Sequence, residues 1–263
     1  MLPIRVRGNP EETIAIMVPM DVLLAVAFLV VAVLYASVGH AGASGYIAVM
    51  ALAAVAPATL RPTALLLNVL VASIGVYRYA RAGMLPWRRL LPFVLASAPC
   101  AYLAAQWQID AHLIKQALAV VLLLSAIELW RSAERAPISD ADVRVPPIWL
   151  ALIVGATIGV VAGLSGTGGA IFLSPLVLLF HWSNTRVASG LSAGFVLINS
   201  LAGLAGVWAT AQWSSATPWW LLAVLLGALI GTELGTRRLQ IPHLRRILAV
   251  VLLIAAGKLA VGS

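Results

Sequence analysis

The chain is written as ten apolar segments with little else between them. They run over residues 21–38, 46–56, 62–80, 90–106 and 113–130, and then over 148–162, 170–180, 187–209, 218–236 and 244–261. A helix needs about 20 apolar residues to cross the hydrocarbon core of a bilayer. In lipid a segment must also satisfy its own backbone polar groups, which selects helices or closed barrels. The composition agrees: 62% of residues are hydrophobic and 10% charged, against about 45–50% and about 25% in soluble domains. The expected fold class is therefore an all-α polytopic membrane protein. Soluble enzymes, secreted disulfide proteins and nucleic-acid binders are excluded. The net charge of +8 reads as basic cytoplasmic loops, which set orientation in the membrane.

The segments fall into two sets of five that resemble each other in letters. Gln108-Ile109, His112-Leu113 and Leu118 to Leu123 return as Gln240-Ile241, His243-Leu244 and Leu248 to Leu253. Earlier in each half, Gly39, Gly42 and Gly45 match Gly163, Gly166 and Gly169 at an offset of 124. Charge orients the halves. The loop after the third segment of the first half holds Arg78, Arg81, Arg88 and Arg89, whereas residues 210–217 carry no charge and Arg237, Arg238, Arg245 and Arg246 follow the next segment. Under the positive-inside rule, equivalent loops then lie on opposite faces. The expectation is two inverted repeats of five helical segments each, with both termini outside.

In this reading residues 1–20 are an N-terminal tail, 21–131 the first membrane repeat, 132–147 a cytoplasmic linker and 148–263 the second repeat, all in one transmembrane domain. The small residues of Ala36 to Ala43 resemble a signal-peptidase site, but the counterpart of this segment deep in the chain argues against cleavage. Eight tryptophans, Trp87, Trp107, Trp130, Trp149, Trp182, Trp213, Trp219 and Trp220, sit near segment ends and read as interfacial anchors; Trp208 is less clear.

The second segment of each half is too short to span comfortably. About 11 residues at 1.5 Å each cover roughly half of the hydrocarbon thickness. Glycine-rich breaks precede both, Gly39-His40-Ala41-Gly42-Ala43-Ser44-Gly45 and Gly163-Leu164-Ser165-Gly166-Thr167-Gly168-Gly169. Paired short, glycine-interrupted segments in a repeat point to a transporter binding site. The first N–H groups of the helix after each break are unpaired and carry the positive end of its dipole, which attracts an anion. Gly168 and Gly169 would admit the ligand close to the backbone, with Ser165 and Thr167 as hydroxyl donors. Gly, Ala, Ser and Thr also serve close helix packing, and that reading competes at every such position.

The candidate substrate contacts are also Gly42, Ser44, Gly45 and Gly166 within the breaks and, beyond them, Asn68, Ser192 and Asn199, with Ser200 beside them. Intramembrane amides need a partner, so interhelical bonding is the alternative for each. His40 stands opposite Leu164 in the 124 register; the asymmetry marks it as the proton-coupling candidate, against a structural histidine. Glu233 lies one turn from Arg237, the spacing of a helix-end ion pair. Glu128 and Lys258 occupy equivalent positions near segment ends and snorkel. Arg61 and Arg186, just before the third segments, either funnel anions or sit at the interface. One cysteine, Cys100, and four scattered histidines offer no disulfide and no metal framework, and no cofactor is expected.

With those motifs in view, the sequence resembles the sulfite exporter TauE/SafE family of bacterial permeases from about residue 22 onward. The resemblance rests on His40 to Tyr46, Arg61-Pro62-Thr63-Ala64 and Asn68 in the first half. In the second it rests on Gly163 to Gly169, Ser174-Pro175-Leu176 and Asn199-Ser200-Leu201-Ala202-Gly203. It implies a multi-pass carrier in the bacterial inner membrane for sulfite, sulfonates or related small anions. The first half departs from the fuller pattern, with Ser44 where the second half has Gly168 and Ala51 opposite Pro175, which tells against a strictly symmetric site.

The reading that follows is a secondary carrier, an exporter, of a small sulfur-containing oxyanion such as sulfite or an organosulfonate. The anion binds near the midplane between the broken segments. No nucleotide-binding motif is present, so a proton or ion gradient is expected to drive it rather than ATP. The rivals are a passive small-anion channel, a carboxylate permease, an intramembrane enzyme and a structural membrane subunit. The enzyme lacks a His/Asp/Glu cluster at useful spacing. Expected partners are the small anion and the lipid bilayer, with no nucleic acid.

Overall fold

A computed structural model describes residues 10–107, 111–132 and 143–237, together with residues 246, 249, 250, 252–254, 256, 257 and 260. Helices are the only regular structure among the described residues. They are α1 (Pro10–Ala36), α2 (Ala43–Leu52), α3 (Pro57–Arg81), α4 (Trp87–Gln106), α5 (Ala111–Ser132), α6 (Ile148–Ser165), α7 (Ala170–Leu179), α8 (Thr185–Val207) and α9 (Thr217–Thr236). The last apolar segment is described only at single helical residues between 246 and 260. α3, α6, α8 with the 3-10 turn after it, and α9 are long and apolar enough to cross a membrane. α1 begins at Pro10, so its first turns take in part of the stretch read as a tail. The linker residues 133–142, the repeated blocks around 108–110 and 238–245, and the side chains of Glu128 and Lys258 lie outside the described residues.

α2 and α7 have ten residues each, about 15 Å of helix, and neither crosses. Each folds back along the helix before it. From Ser44 to Tyr46 the partners on α1 recede from Tyr35 to Phe28: Tyr35 Oη and Ser44 Oγ are 2.8 Å apart, and the Phe28 and Tyr46 rings meet edge-on at 5.3 Å. In the second half, the Arg144 N–H donates to the His181 carbonyl at 2.7 Å. That bond brings the chain just before α6 to the point where α7 ends. Both short segments are thus the returning arms of helical hairpins.

The hairpins turn on backbone that only a few residue types adopt. Gly39 and Gly42 have φ of +79° and +105°, and Gly166 and Gly169 have +75° and +80°. Beyond the short helices, Ala54 and His181 have φ of +57° and +55°, a left-handed conformation uncommon for residues with a side chain. All three pairs are 127 residues apart, and α2 and α7 start at that same spacing. The register read from the letters, 124, is therefore displaced by one glycine. Gly45 and Gly163 lie inside helices instead. At 127, His40 stands opposite Thr167 rather than Leu164, Ala41 opposite Gly168, and Ala48 opposite Pro175.

Packing follows the same exchange. α6 lies against α4 as α1 lies against α9, α4 lies against α8 as α9 lies against α3, and α3 and α8 pack on each other at the centre. The two outer pairs approach through rows of glycines four residues apart. A Cβ at Gly155, Gly159 or Gly163 of α6 would run into the backbone of Phe93, Ser97 or Ala101. A Cβ at Gly227, Gly231 or Gly235 of α9 would run into that of Leu29, Val33 or Ser37. Small residues at this spacing let membrane helices touch backbone to backbone.

Large apolar side chains such as Leu23, Leu95, Leu124, Ile153 and Leu226 are exposed, as suits faces turned to lipid. Of the eight expected tryptophan anchors, Trp87, Trp107, Trp130, Trp149, Trp213 and Trp219 are exposed, but Trp182 and Trp220 are buried. Trp220 packs edge-on against Phe28 at 5.3 Å, and Trp182 lies 6.1 Å from the Phe93 ring. These two fill the cores beside the hairpins. Trp208, exposed at the end of α8, pairs with Trp213 at 5.8 Å.

Candidate functional site

The tips of the two hairpins meet beside α3 and α8. His40 Nε2 lies 3.2 Å from the carbonyl oxygen of Ala170, the first residue of α7. A carbonyl only accepts, so Nε2 carries the hydrogen in this contact. Asn68, buried in the middle of α3, donates from Nδ2 to the Thr167 carbonyl and to Ser200 Oγ, each at 3.3 Å. One amide therefore ties the second tip to both central helices.

Each tip ends its long helix in its own way. In the first, the His40 N–H donates to the Tyr35 carbonyl and the Gly39 N–H to that of Ala36, the paired bonds of a Schellman motif with Gly39 in the left-handed position. Tyr46 Oη closes the loop by donating to the Ala41 carbonyl at 2.7 Å. In the second, the Gly166 N–H donates to the Ala162 carbonyl at 2.8 Å, a single-bond cap. Ser165 Oγ donates to Val161 at 2.7 Å and lies 2.8 Å from Thr167 Oγ1. The two hydroxyls expected to serve a ligand are thus bonded to each other and to α6.

The residues singled out from the sequence separate into two groups. His40, Asn68, Thr167, Gly168 and Ser200 converge where the tips meet. A Cβ at Gly168 would collide with Val196 and come within 2.6 Å of Ser200 Oγ and 3.0 Å of Asn68 Nδ2. Ser44 and Gly45 face back into the first hairpin, against Tyr35 and Val31. Gly42 packs on Tyr46 and Val31, and Gly169 on Ile158 and Phe195. These four serve the bends and their packing.

On α8, Asn199 donates from Nδ2 to the Phe195 carbonyl one turn back at 2.9 Å. Asn199 Oδ1, Asn68 Oδ1 and Ser192 Oγ are buried with no hydrogen-bond partner among the described residues. A buried polar group left in that state costs about 1–3 kcal/mol, and such groups find water or a ligand.

Sequence reasoning missed the contact between the second tip and Arg61. Gly166 lies against the Arg61 stem, where a Cβ would stand 2.7 Å from Cγ. It also missed the glycine rows, although their spacing of four was legible at Gly155-Gly159-Gly163 and Gly227-Gly231-Gly235. The expected Glu233–Arg237 pair is present at 2.5 Å. The same carboxylate also meets Arg78 at the end of α3, again at 2.5 Å, which no spacing along the chain foretells. Among the described residues no group of three or more His, Cys, Asp or Glu side chains gathers to hold a metal.

Residues 23–259 match the model of the family described as Sulfite exporter TauE/SafE. A probable membrane transporter protein of Sinorhizobium fredii is 40% identical over 240 residues, covering 90% of this chain and 96% of that protein. A probable membrane transporter protein of Methanocaldococcus jannaschii is 25% identical over 134 residues, 50% of this chain and 49% of its own. No solved structure matches the chain significantly.

Proposed function

From the premise that the chain belongs to the sulfite exporter TauE/SafE family and is a multi-pass membrane transporter, we propose that it is a secondary carrier exporting a small sulfur-containing oxyanion, sulfite or an organosulfonate. The observation that carries the proposal is the contact of the hairpin tips, His40 Nε2 against the Ala170 carbonyl. Two helices begin beside that contact, at Ala43 and Ala170, and their first N–H groups have no helical partner. Positive helix ends suit an anion, and transporters bind at such interruptions.

The halves act as inverted repeats in this reading. Their spacing of 127 and exchanged packing support the repeat. The inversion is supported by the corner where α3, α4 and α9 meet. Five residues, 82–86, join α3 to α4, so α4 begins where α3 ends. Glu233 pairs with Arg78, so α9 ends there too, and the equivalent helices α4 and α9 run in opposite directions. The repeats are residues 21–131 and 148–263, joined by a cytoplasmic linker, in the bacterial inner membrane. His40, Asn68, Thr167, Gly168 and Ser200 bind the anion, with Ser192 and Asn199 on α8 beside them. Ser165, Gly166, Gly169, Gly42, Ser44 and Gly45 shape the two tips. A proton or ion gradient drives exchange between the two faces, with His40 as the proton-carrying group.

Flux of labelled sulfite from proteoliposomes tests the reading. Saturable flux that responds to an imposed proton or sodium gradient supports it. Flux that rises linearly with concentration and ignores gradients identifies a passive channel. Saturation with acetate or another small carboxylate, but not with sulfite or methanesulfonate, discards the substrate class.

A further inference from the structure

We infer that Arg61 is the cation that recognises the transported anion, donating from its guanidinium to the anion's oxygens at the second hairpin tip. The inference rests on the oxyanion-carrier reading and adds a permanent charge to a site whose other donors, the titrating His40 apart, are neutral. Arg61 lies just over one turn into α3 and is half-buried. One arm of its fork is held: Nη2 donates at 2.7 Å to the Ala105 carbonyl in the last turn of α4, where the helix dipole is negative. Nε is buried and has no acceptor among the described residues. Among the described residues no carboxylate lies within ion-pair distance of Arg61, and the acidic side chain seen in ion pairs, Glu233, serves Arg78 and Arg237.

A half-buried guanidinium with no carboxylate beside it among the described residues is costly, and ionisable groups within membrane segments usually mark a pathway for substrate. Capping α4 would occupy one of the five N–H donors of arginine; the buried Nε–H is left for something else. Its position says what. The Arg61 stem packs on Gly166, and Asn68, seven residues on, holds Thr167. Residues seven apart share a helix face, so α3 lays a charged fork and an amide along successive residues of the second tip. Planar forks match oxyanions two oxygens at a time. The first tip has no such group: where Gly39 makes the equivalent approach, it meets the backbone of Ser189. The recognition charge is therefore one-sided.

The test measures sulfite flux, with methanesulfonate and acetate as competitors, in proteoliposomes of the full chain carrying wild type, Arg61→Gln or Arg61→Lys. We expect Arg61→Gln to raise the half-saturating sulfite concentration about tenfold or more. Arg61→Lys should recover part of that loss, because it keeps the charge without the fork. Wild-type half-saturation in either variant overturns the inference, whereas a changed maximal rate at constant half-saturation assigns Arg61 to structure and also overturns it. Should the glutamine variant be lost from the membrane, the lysine variant decides alone by the same criterion. A wild type without saturable flux of any of the three anions overturns the carrier reading, and this inference with it.

Discussion

His40 and Ala170 stand 130 residues apart in the chain and 3.2 Å apart in the structure, imidazole Nε2 against carbonyl oxygen. The first hairpin thereby reaches the start of the helix in the second. An imidazole changes charge near neutral pH, and protonation adds a hydrogen at the other ring nitrogen, so the contact persists while a positive charge appears between the tips. His40→Ala should flatten the pH dependence of sulfite flux between pH 5.5 and 8, two values set by the experimenter around the ordinary imidazole range of about 6.5. A wild-type pH profile in that variant would return His40 to a purely structural role.

Gly168 tests how closely the second tip is fitted to α8. Its φ is +72°, and a left-handed residue with a side chain costs roughly 1–2 kcal/mol. The added Cβ would also collide with Val196. Gly168→Ala should therefore abolish flux while leaving protein in the membrane. Adding Val196→Ala removes the closest of these contacts but neither the 2.6 Å approach to Ser200 Oγ nor the backbone strain, so partial recovery is expected in the double variant. Equal inactivity of the two variants would show that steric contact with Val196 is not what limits the loop.

The glycine row on α6 makes a stability prediction. A side chain at Gly159 must push apart α6 and α4 where the Ser97 backbone touches. Overpacking typically costs about 1–3 kcal/mol, and Gly159→Leu should reach or exceed that range because the obstacle is backbone. The check is thermal unfolding in detergent against Thr157→Leu, whose position faces outward. Matching midpoints for the two would mean that the helices are not held at this distance by the row.

Glu233 joins the ends of α3 and α9 through Arg78 and Arg237, but it is substantially exposed. The two guanidinium groups pair with its carboxylate in a setting that salt can screen; the Debye length falls from about 10 Å at 0.1 M to about 3 Å at 1 M. Glu233→Gln should lower the unfolding temperature at low salt, and the gap to wild type should narrow as salt is raised. A gap independent of salt would point to packing of the side chain rather than its charge.

Much of this was legible in the letters because it depends on local chemistry. A run of apolar residues dictates a helix in lipid, and the brevity of residues 46–56 and 170–180 marks them as too short to span comfortably. α2 and α7 are indeed ten residues each. Glycine clusters likewise pointed to the bends. The register of those bends was beyond reach. Glycines recur every third residue in both loops, so several alignments serve equally well, and the choice depends on which glycines turn left-handed and which pack inside a helix. Backbone angles resolve it at 127.

What the sequence by itself determined is the membrane-spanning, helical character of the chain, since hydropathy and local backbone freedom act through neighbours a few residues away. Only the tertiary structure decided which of the marked residues meet. Ser44 turned to Tyr35, Ser165 to Thr167, and Trp220 into the core against Phe28. Arg61, which looked interfacial, came to rest on Gly166. Those choices depend on helices that touch through glycine rows and hairpins that enter a shared centre. Contacts such as Arg61 with Ala105, Arg78 with Glu233 and Phe28 with Trp220 join residues 44, 155 and 192 positions apart, at distances no periodicity along the chain encodes.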